Sequence, residues 1–134
     1  MSFRPDEVRG AADGPVGQVD YRLARRAVLA EYRRGRLSRL DVCDAHPELM
    51  RAARNVGEAT ERPCPICTEA DVVLVSFAFG SRLPPHGRCI SDRRELARLS
   101  DRRDQVACYV VEVCPECAWN HLIRSYLLGR RHAG

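Results

Sequence analysis

Cys64-Pro65-Ile66-Cys67, then Val72-Val-Leu-Val-Ser-Phe-Ala-Phe79, then Val106-Ala-Cys-Tyr-Val-Val-Glu-Val113 running straight into Cys114-Pro115-Glu116-Cys117, are the segments that decide the fold. Both apolar runs are short and rich in β-branched and aromatic residues, so each is expected to be a strand. A two-residue spacer lets both sulfurs of a tight knuckle face one ion. Two such knuckles supply the four thiolates of a tetrahedral zinc site. Proline after the first cysteine presets each turn. If the strands pair antiparallel, the end of the second lies beside the start of the first, and both knuckles reach one end of the hairpin. Cys64, Cys67, Cys114 and Cys117 are therefore the expected ligands of one structural Zn2+. Buried structural cysteines would not repeat one spacing at two strand ends. A redox dithiol needs a single pair at a helix N-terminus in a βαβ pattern.

The 46 residues between Cys67 and Cys114 exceed the roughly 15–20 of a minimal ribbon, so residues 80–105 read as a segment inserted at the hairpin tip. Pro84-Pro85 marks a loop there, and Ser91 caps a short expected helix to Leu99 with Leu96 and Leu99 inward. After the second knuckle, Trp119, Leu122, Ile123 and Tyr126 recur at i, i+3, i+4 and i+7. That spacing predicts a terminal helix from about Ala118 to Leu128, closed by Gly129. Residues 63–129 are thus expected to form a zinc ribbon ending in a helix.

On the N-terminal side, residues 1–19 carry three Gly and two Pro without hydrophobic period and read as a flexible tail. Asp20 can cap a helix from about Tyr21 to Arg34, stopped by Gly35. Ser38 and Asp41 give a capping signature for a short second helix through Cys43. Pro47 suits the first position of a third, with Leu49, Ala53 and Val56 on its apolar face and Gly57 at its end. Residues 20–58 therefore read as a three-helix unit of helix-turn-helix size, whose last helix would turn Glu48, Arg51, Arg54 and Asn55 outward. The fold class expected is α+β.

The other thiols and imidazoles are weaker signals. Cys43-Asp-Ala-His46 and His86-Gly-Arg-Cys89 share a two-residue spacer and leave open a second metal site, though Cys43 also suits a small buried apolar position. Cys108 falls mid-strand and reads as core. His121 is near enough to Cys117 to bond a sulfur, or else lies on a helix surface. His46-Pro-Glu48 followed by Pro63-Cys64 imitates the wording of the zinc deaminase signature. Only 14 residues separate Glu48 from Pro63, and a second cysteine pair would fill the position a catalytic zinc keeps open. The chain is not expected to be an enzyme.

All 22 basic residues of the 134 are Arg, against 18 acidic, for a net charge of +4 and an apolar share of 45%. That balance suits a globular chain. Seven cysteines, an odd number without a visible export signal, favour metal or reduced thiols over a disulfide framework. No apolar run approaches the ~18 residues of a membrane span, so a cytoplasmic protein without membrane partner is expected. Between Arg22 and Arg39 lie seven Arg, opposed by Asp20 and Glu31. Guanidinium forks pair with phosphate or carboxylate, which makes Arg22, Arg25, Arg26, Arg33 and Arg34, with Arg51 and Arg54, the candidate surface for nucleic acid or an acidic partner. A second Arg cluster, from Arg82 to Arg103, is diluted by Asp92, Glu95, Asp101 and Asp104.

Val42-Cys-Asp-Ala-His-Pro-Glu-Leu49, the first knuckle, and Val113-Cys-Pro-Glu-Cys-Ala-Trp-Asn-His-Leu122 together resemble a small actinobacterial zinc-ribbon family of unknown function. The resemblance covers roughly residues 20–129 and implies the architecture without an activity. Ribbons of this class act as rigid adapters, so the expected partner is nucleic acid, RNA polymerase, the ribosome or another protein rather than a small-molecule substrate. The alternative is a zinc- or thiol-redox-responsive regulator.

Overall fold

A computed structural model describes residues 17–129. Its elements run β1 (Val19–Asp20), α1 (Arg22–Arg33), α2 (Arg39–Val42), α3 (Pro47–Val56), β2 (Glu58–Pro63), β3 (Asp71–Phe79), β4 (Arg88–Ile90), α4 (Arg93–Ser100), β5 (Val106–Val113) and β6 (Asn120–Leu128). The fold is α+β, with N-terminal helices and a sheet of six antiparallel strands ordered β1-β6-β5-β3-β2. β4 joins the same edge of β3 as β2, but at its far end, through Ser76–Ala78. The expectation of a flexible tail falls mostly on residues outside the described ones, although Val19 pairs with Ser125.

β5 is buried at all eight positions, the mark of a strand covered on both faces. Its side chains alternate between two layers. Tyr109, Val111 and Val113 meet Val75, Phe77 and Phe79 under Leu49 and Ala53 of α3. On the opposite face, Val106 and Cys108 pack with Ala78 under Leu99 of α4. A third cluster lies at the knuckle end, where Leu29 of α1 and Val42 of α2 close over Val72, Cys64, Cys114 and Trp119. α1 and α3 therefore bury their apolar stripes in different clusters, each against the sheet.

Several local expectations hold. Ser38 and Asp41 form a reciprocal capping box, and Pro47 opens α3. Gly35, at φ +77°, takes the left-handed position that ends α1. Asp20 accepts from the Arg22 amide at 2.9 Å, one residue before the true N-cap, Tyr21. Asp92, not Ser91, caps α4.

The terminal helix over 118–128 is overturned: Asn120–Leu128 is strand β6, paired with β5 from Val113↔Asn120 to Val106↔Leu128. A strand as buried as β5 leaves backbone donors and acceptors on both edges, and burial without partners is costly. β3 satisfies one edge and β6 the other. The picture of a two-stranded hairpin is corrected with it, because β3 and β5 are the centre of a wider sheet. The segment after Phe79 contributes both β4 and α4 to that sheet and its cover.

Candidate metal centre

Each Cys-Pro-x-Cys knuckle is the turn of a β-hairpin, the first joining β2 to β3 and the second β5 to β6. The two turns are built alike. The Thr68 amide donates to the Cys64 carbonyl and the Ala118 amide to the Cys114 carbonyl, both at 3.1 Å. The donor residue of each stands at positive φ, 59° at Thr68 and 71° at Ala118. Antiparallel pairing of β3 with β5, through Val73↔Val113, puts both turns at one end of the sheet.

There the sulfurs of Cys64, Cys67, Cys114 and Cys117 all lie within 4.8 Å of one another. Two of the separations are 3.6 Å (Cys64–Cys117) and 3.7 Å (Cys67–Cys114). A tetrahedron of thiolates with Zn–S near 2.3 Å has edges of about 3.8 Å. The donor set, its spacing and the absence of a carboxylate or imidazole fit a structural Zn2+. With four sulfurs engaged, no position stays open for water.

The turns also prepare the sulfurs for negative charge. Ile66 donates its amide to Cys64 Sγ and Cys117 its own to Cys114 Sγ, each at 3.4 Å. Burial pushes the Cys67 thiol up, but amides of Glu69 and Ala70 and the neighbouring thiols outweigh it, bringing it down to about 7. Burial raises Cys64 and Cys114, and pushes Cys117 up to about 12.

Beside the cluster lies a buried charge that sequence reasoning did not single out. Glu112, 1% exposed at its side chain, accepts through Oε2 from Arg25 Nε and Nη2 at 3.1 and 2.9 Å and from Trp119 Nε1 at 2.7 Å. Arg25 also lies over the Trp119 ring. Among the described residues Glu112 Oε1 has no hydrogen-bond partner, and Arg62 Nη2 lies 4.0 Å from it. A lone Glu in the run Val106–Val113 was the available signal.

Of the candidate partner residues, Arg25 is thus half-buried and engaged inside the fold, while Arg22, Arg26, Arg33, Arg34, Arg51 and Arg54 are exposed. Arg22 pairs with Asp20, Arg34 with Glu31 and Arg51 with Glu48, and Arg54 donates to the Pro115 carbonyl of the second knuckle. Asn55 is exposed on α3 as expected.

Of the residues weighed for a second metal, Cys43 parts from the other three. Cys43 joins the sulfur cluster, its Sγ 3.5 Å from Cys117 Sγ. His46 caps α3, its Nδ1 accepting from the Glu48 amide. His46, His86 and Cys89 line one open cavity of about 610 Å³ floored by Leu49, Ala52 and Phe77. Among the described residues, the four cysteines form the one set of three or more such side chains whose ligand atoms converge. His121 stacks on Trp119 with ring centroids 6.1 Å apart, and its Nδ1 lies 2.7 Å from the Leu122 carbonyl. Burial holds its imidazole below the ordinary value. Cys108 is core, as expected.

A family model described as a family of unknown function, DUF5318, matches residues 16–134. The uncharacterized proteins Rv0049 of Mycobacterium tuberculosis H37Rv and Mb0050 of Mycobacterium bovis are similar to the chain. Each is 44% identical over 111 residues, which cover 83% of this chain and 81% of the relative. No solved structure gives a significant match.

Proposed function

The chain belongs to DUF5318, a family of unknown function with mycobacterial members, and from its four converging sulfurs we propose a non-enzymatic, zinc-ribbon-like adapter. The carrying observation is the closed tetrad of Cys64, Cys67, Cys114 and Cys117. A metal held by four thiolates stiffens two hairpin turns and offers no vacant site for hydrolysis. Zinc bound there supplies rigidity, not chemistry.

α1, whose Leu29 packs in the same cluster as Cys64 and Cys114, carries more Arg than acid. Arg22, Arg26, Arg33 and Arg34 are exposed on and just after α1, with Leu23 78% exposed among them. Arg51 and Arg54 extend positive charge onto α3, and Arg54 ties that helix to the second knuckle. This surface suits phosphates of a nucleic acid or an acidic face of the transcription or translation machinery. No helix among the described residues is long and apolar enough to cross a membrane. The residue division proposed is a helical portion, 20–58, and a metal-bearing portion, 63–129.

Elemental analysis of the reduced chain should return one zinc per chain. Fluorescence anisotropy with labelled RNA and DNA should then show binding that weakens steeply with salt. Absence of binding at low salt, with no polymerase or ribosomal protein recovered by affinity capture, would sink the adapter reading. The contact between Cys43 and Cys117 favours a second reading, in which the same site responds to oxidants.

A further inference from the structure

Cys43 is the C-cap residue of α2, and it brings a fifth sulfur against the tetrad from outside. Its Sγ is 3.5 Å from Cys117 Sγ, as close as the paired ligands are to each other. Yet it is not one of the four whose sulfur atoms all lie within reach of one ion. A structural site needs four thiolates and gains nothing in coordination from a fifth. Cys64 and Cys114 are 1% and 0% exposed, whereas Cys43 and Cys117 are half-buried.

We infer that Cys43 is the resolving thiol of a reversible disulfide with Cys117, which withdraws one metal ligand when a hydroperoxide oxidises the site. The inference rests on the zinc reading of the tetrad and adds its regulation. Cys117, a thiolate when it holds the metal, attacks the peroxide O–O bond, giving a sulfenic acid and an alkoxide (hydroxide from hydrogen peroxide) that takes a proton from solvent. Cys43 sulfur then attacks that sulfenic sulfur, the S–O bond breaks, and hydroxide leaves to take up the Cys43 proton as water. One thiolate, one thiol, one hydroperoxide and one solvent proton thus become a disulfide, an alcohol and water, with two electrons passing from sulfur to oxygen. Bond formation requires the sulfurs to close to about 2.05 Å. The shift falls on Cys43, at the end of a helix only four residues long. Cys67 is also half-buried, but the thiols beside it are themselves ligands. Cys117 alone among the ligands has a non-ligand thiol in contact.

The test uses the full reduced, zinc-loaded chain exposed to hydrogen peroxide, quenched at intervals with an alkylating agent and digested without reduction. Tandem mass spectrometry should show peptide 40–51, which carries Cys43, joined to Cys117 in the first disulfide formed. Zinc release to a chromophoric chelator should run in parallel, and dithiothreitol should reverse both. Cys43→Ala and Cys43→Ser, checked for fold by circular dichroism, should hold one zinc when reduced and release it several-fold more slowly under peroxide. A first disulfide confined to Cys64, Cys67, Cys114 and Cys117 overturns the inference, as does release from both variants at the wild-type rate. Loss of zinc from folded reduced variants overturns it too, by making Cys43 a ligand. A reduced wild-type chain that binds no zinc overturns the site reading instead, and the peptide map still decides the pairing.

Discussion

Glu112 is a carboxylate placed in the middle strand of a sheet, and three donors on its Oε2 make that placement tolerable. Removing one partner of a buried pair leaves an uncompensated charge, a loss of about 3–5 kcal/mol. Arg25 keeps 24% exposure at its side chain, so Arg25→Ala should fall near the lower end, about 3 kcal/mol. Replacing both partners by Met and Leu should recover most of that loss, because two desolvated charges disappear together. Urea titration of the two variants checks the pair. The knuckle residues carry a cost of a different kind. Thr68 is β-branched yet sits at φ 59°, a conformation that costs a non-glycine residue about 1–2 kcal/mol. Thr68→Gly should offset that strain and raise the melting temperature, less the entropy glycine adds to the unfolded chain. Cys108 tests the core directly: wholly buried, its thiol is pushed up to about 12 and should resist alkylation in the native chain while Cys43 reacts.

Among the elements, the strands 72–79 and 106–113, the knuckles and all four helices were legible, because each carries its own signal: β-branched runs, repeated cysteine spacing, caps. β6 was not. Ile123 is an extra residue in its pairing, since Val111 faces Leu122 and Val110 faces Arg124. Such a bulge breaks the period of two. Leu122 and Tyr126 then point to opposite faces while still falling at helical spacing in the sequence. The Ile123 carbonyl accepts from the Tyr21 amide at 2.8 Å, so the bulge also anchors the start of α1. β2 was missed for another reason. Glu58–Pro63 is an edge strand, mostly exposed, and has no apolar alternation to read. Of the site, the tetrad was legible from spacing, whereas the approach of Cys43, 74 residues from Cys117, depends on how α2 meets the knuckles. The junction of α3 with β2 gives a test at this scale. A Cβ on Gly57 would clash with the Ala53 carbonyl oxygen and lie 2.7 Å from Val73 Cγ2. Neither can yield without moving the helix off the sheet, so Gly57→Ala should destabilise by about 1–3 kcal/mol in a denaturant titration.

For the molecule as a whole, the three apolar clusters decide what metal removal would do. A two-stranded ribbon would lose its fold without zinc, but this sheet has a core under α3 and another under α4 that contain none of the four ligands. The third cluster is different, because Cys64 and Cys114 are among its members along with Leu29, Val42 and Trp119. Chelation should therefore loosen α1, α2 and the knuckles while the centre of β5 stays closed. Hydrogen exchange reads this directly: amides near Tyr109–Val111 should keep their protection and those at Cys67 and Cys117 should lose it. Global unfolding on chelation would contradict the picture. Chelation should also depend on pH in a definite direction. Without metal, Cys64, Cys114 and Cys117 are held above the ordinary thiol value and stay protonated at neutral pH, while Cys67, brought down to about 7, is the readiest of the four to ionise. Uptake at neutral pH must then release about three to four protons. Protons compete with the metal, so apparent zinc affinity should climb as pH rises and fall steeply below 7, by three to four decades per pH unit at the limit. Chelator competition at several pH values measures that slope, and a slope near one would mean that most of the four sulfurs are not ligands.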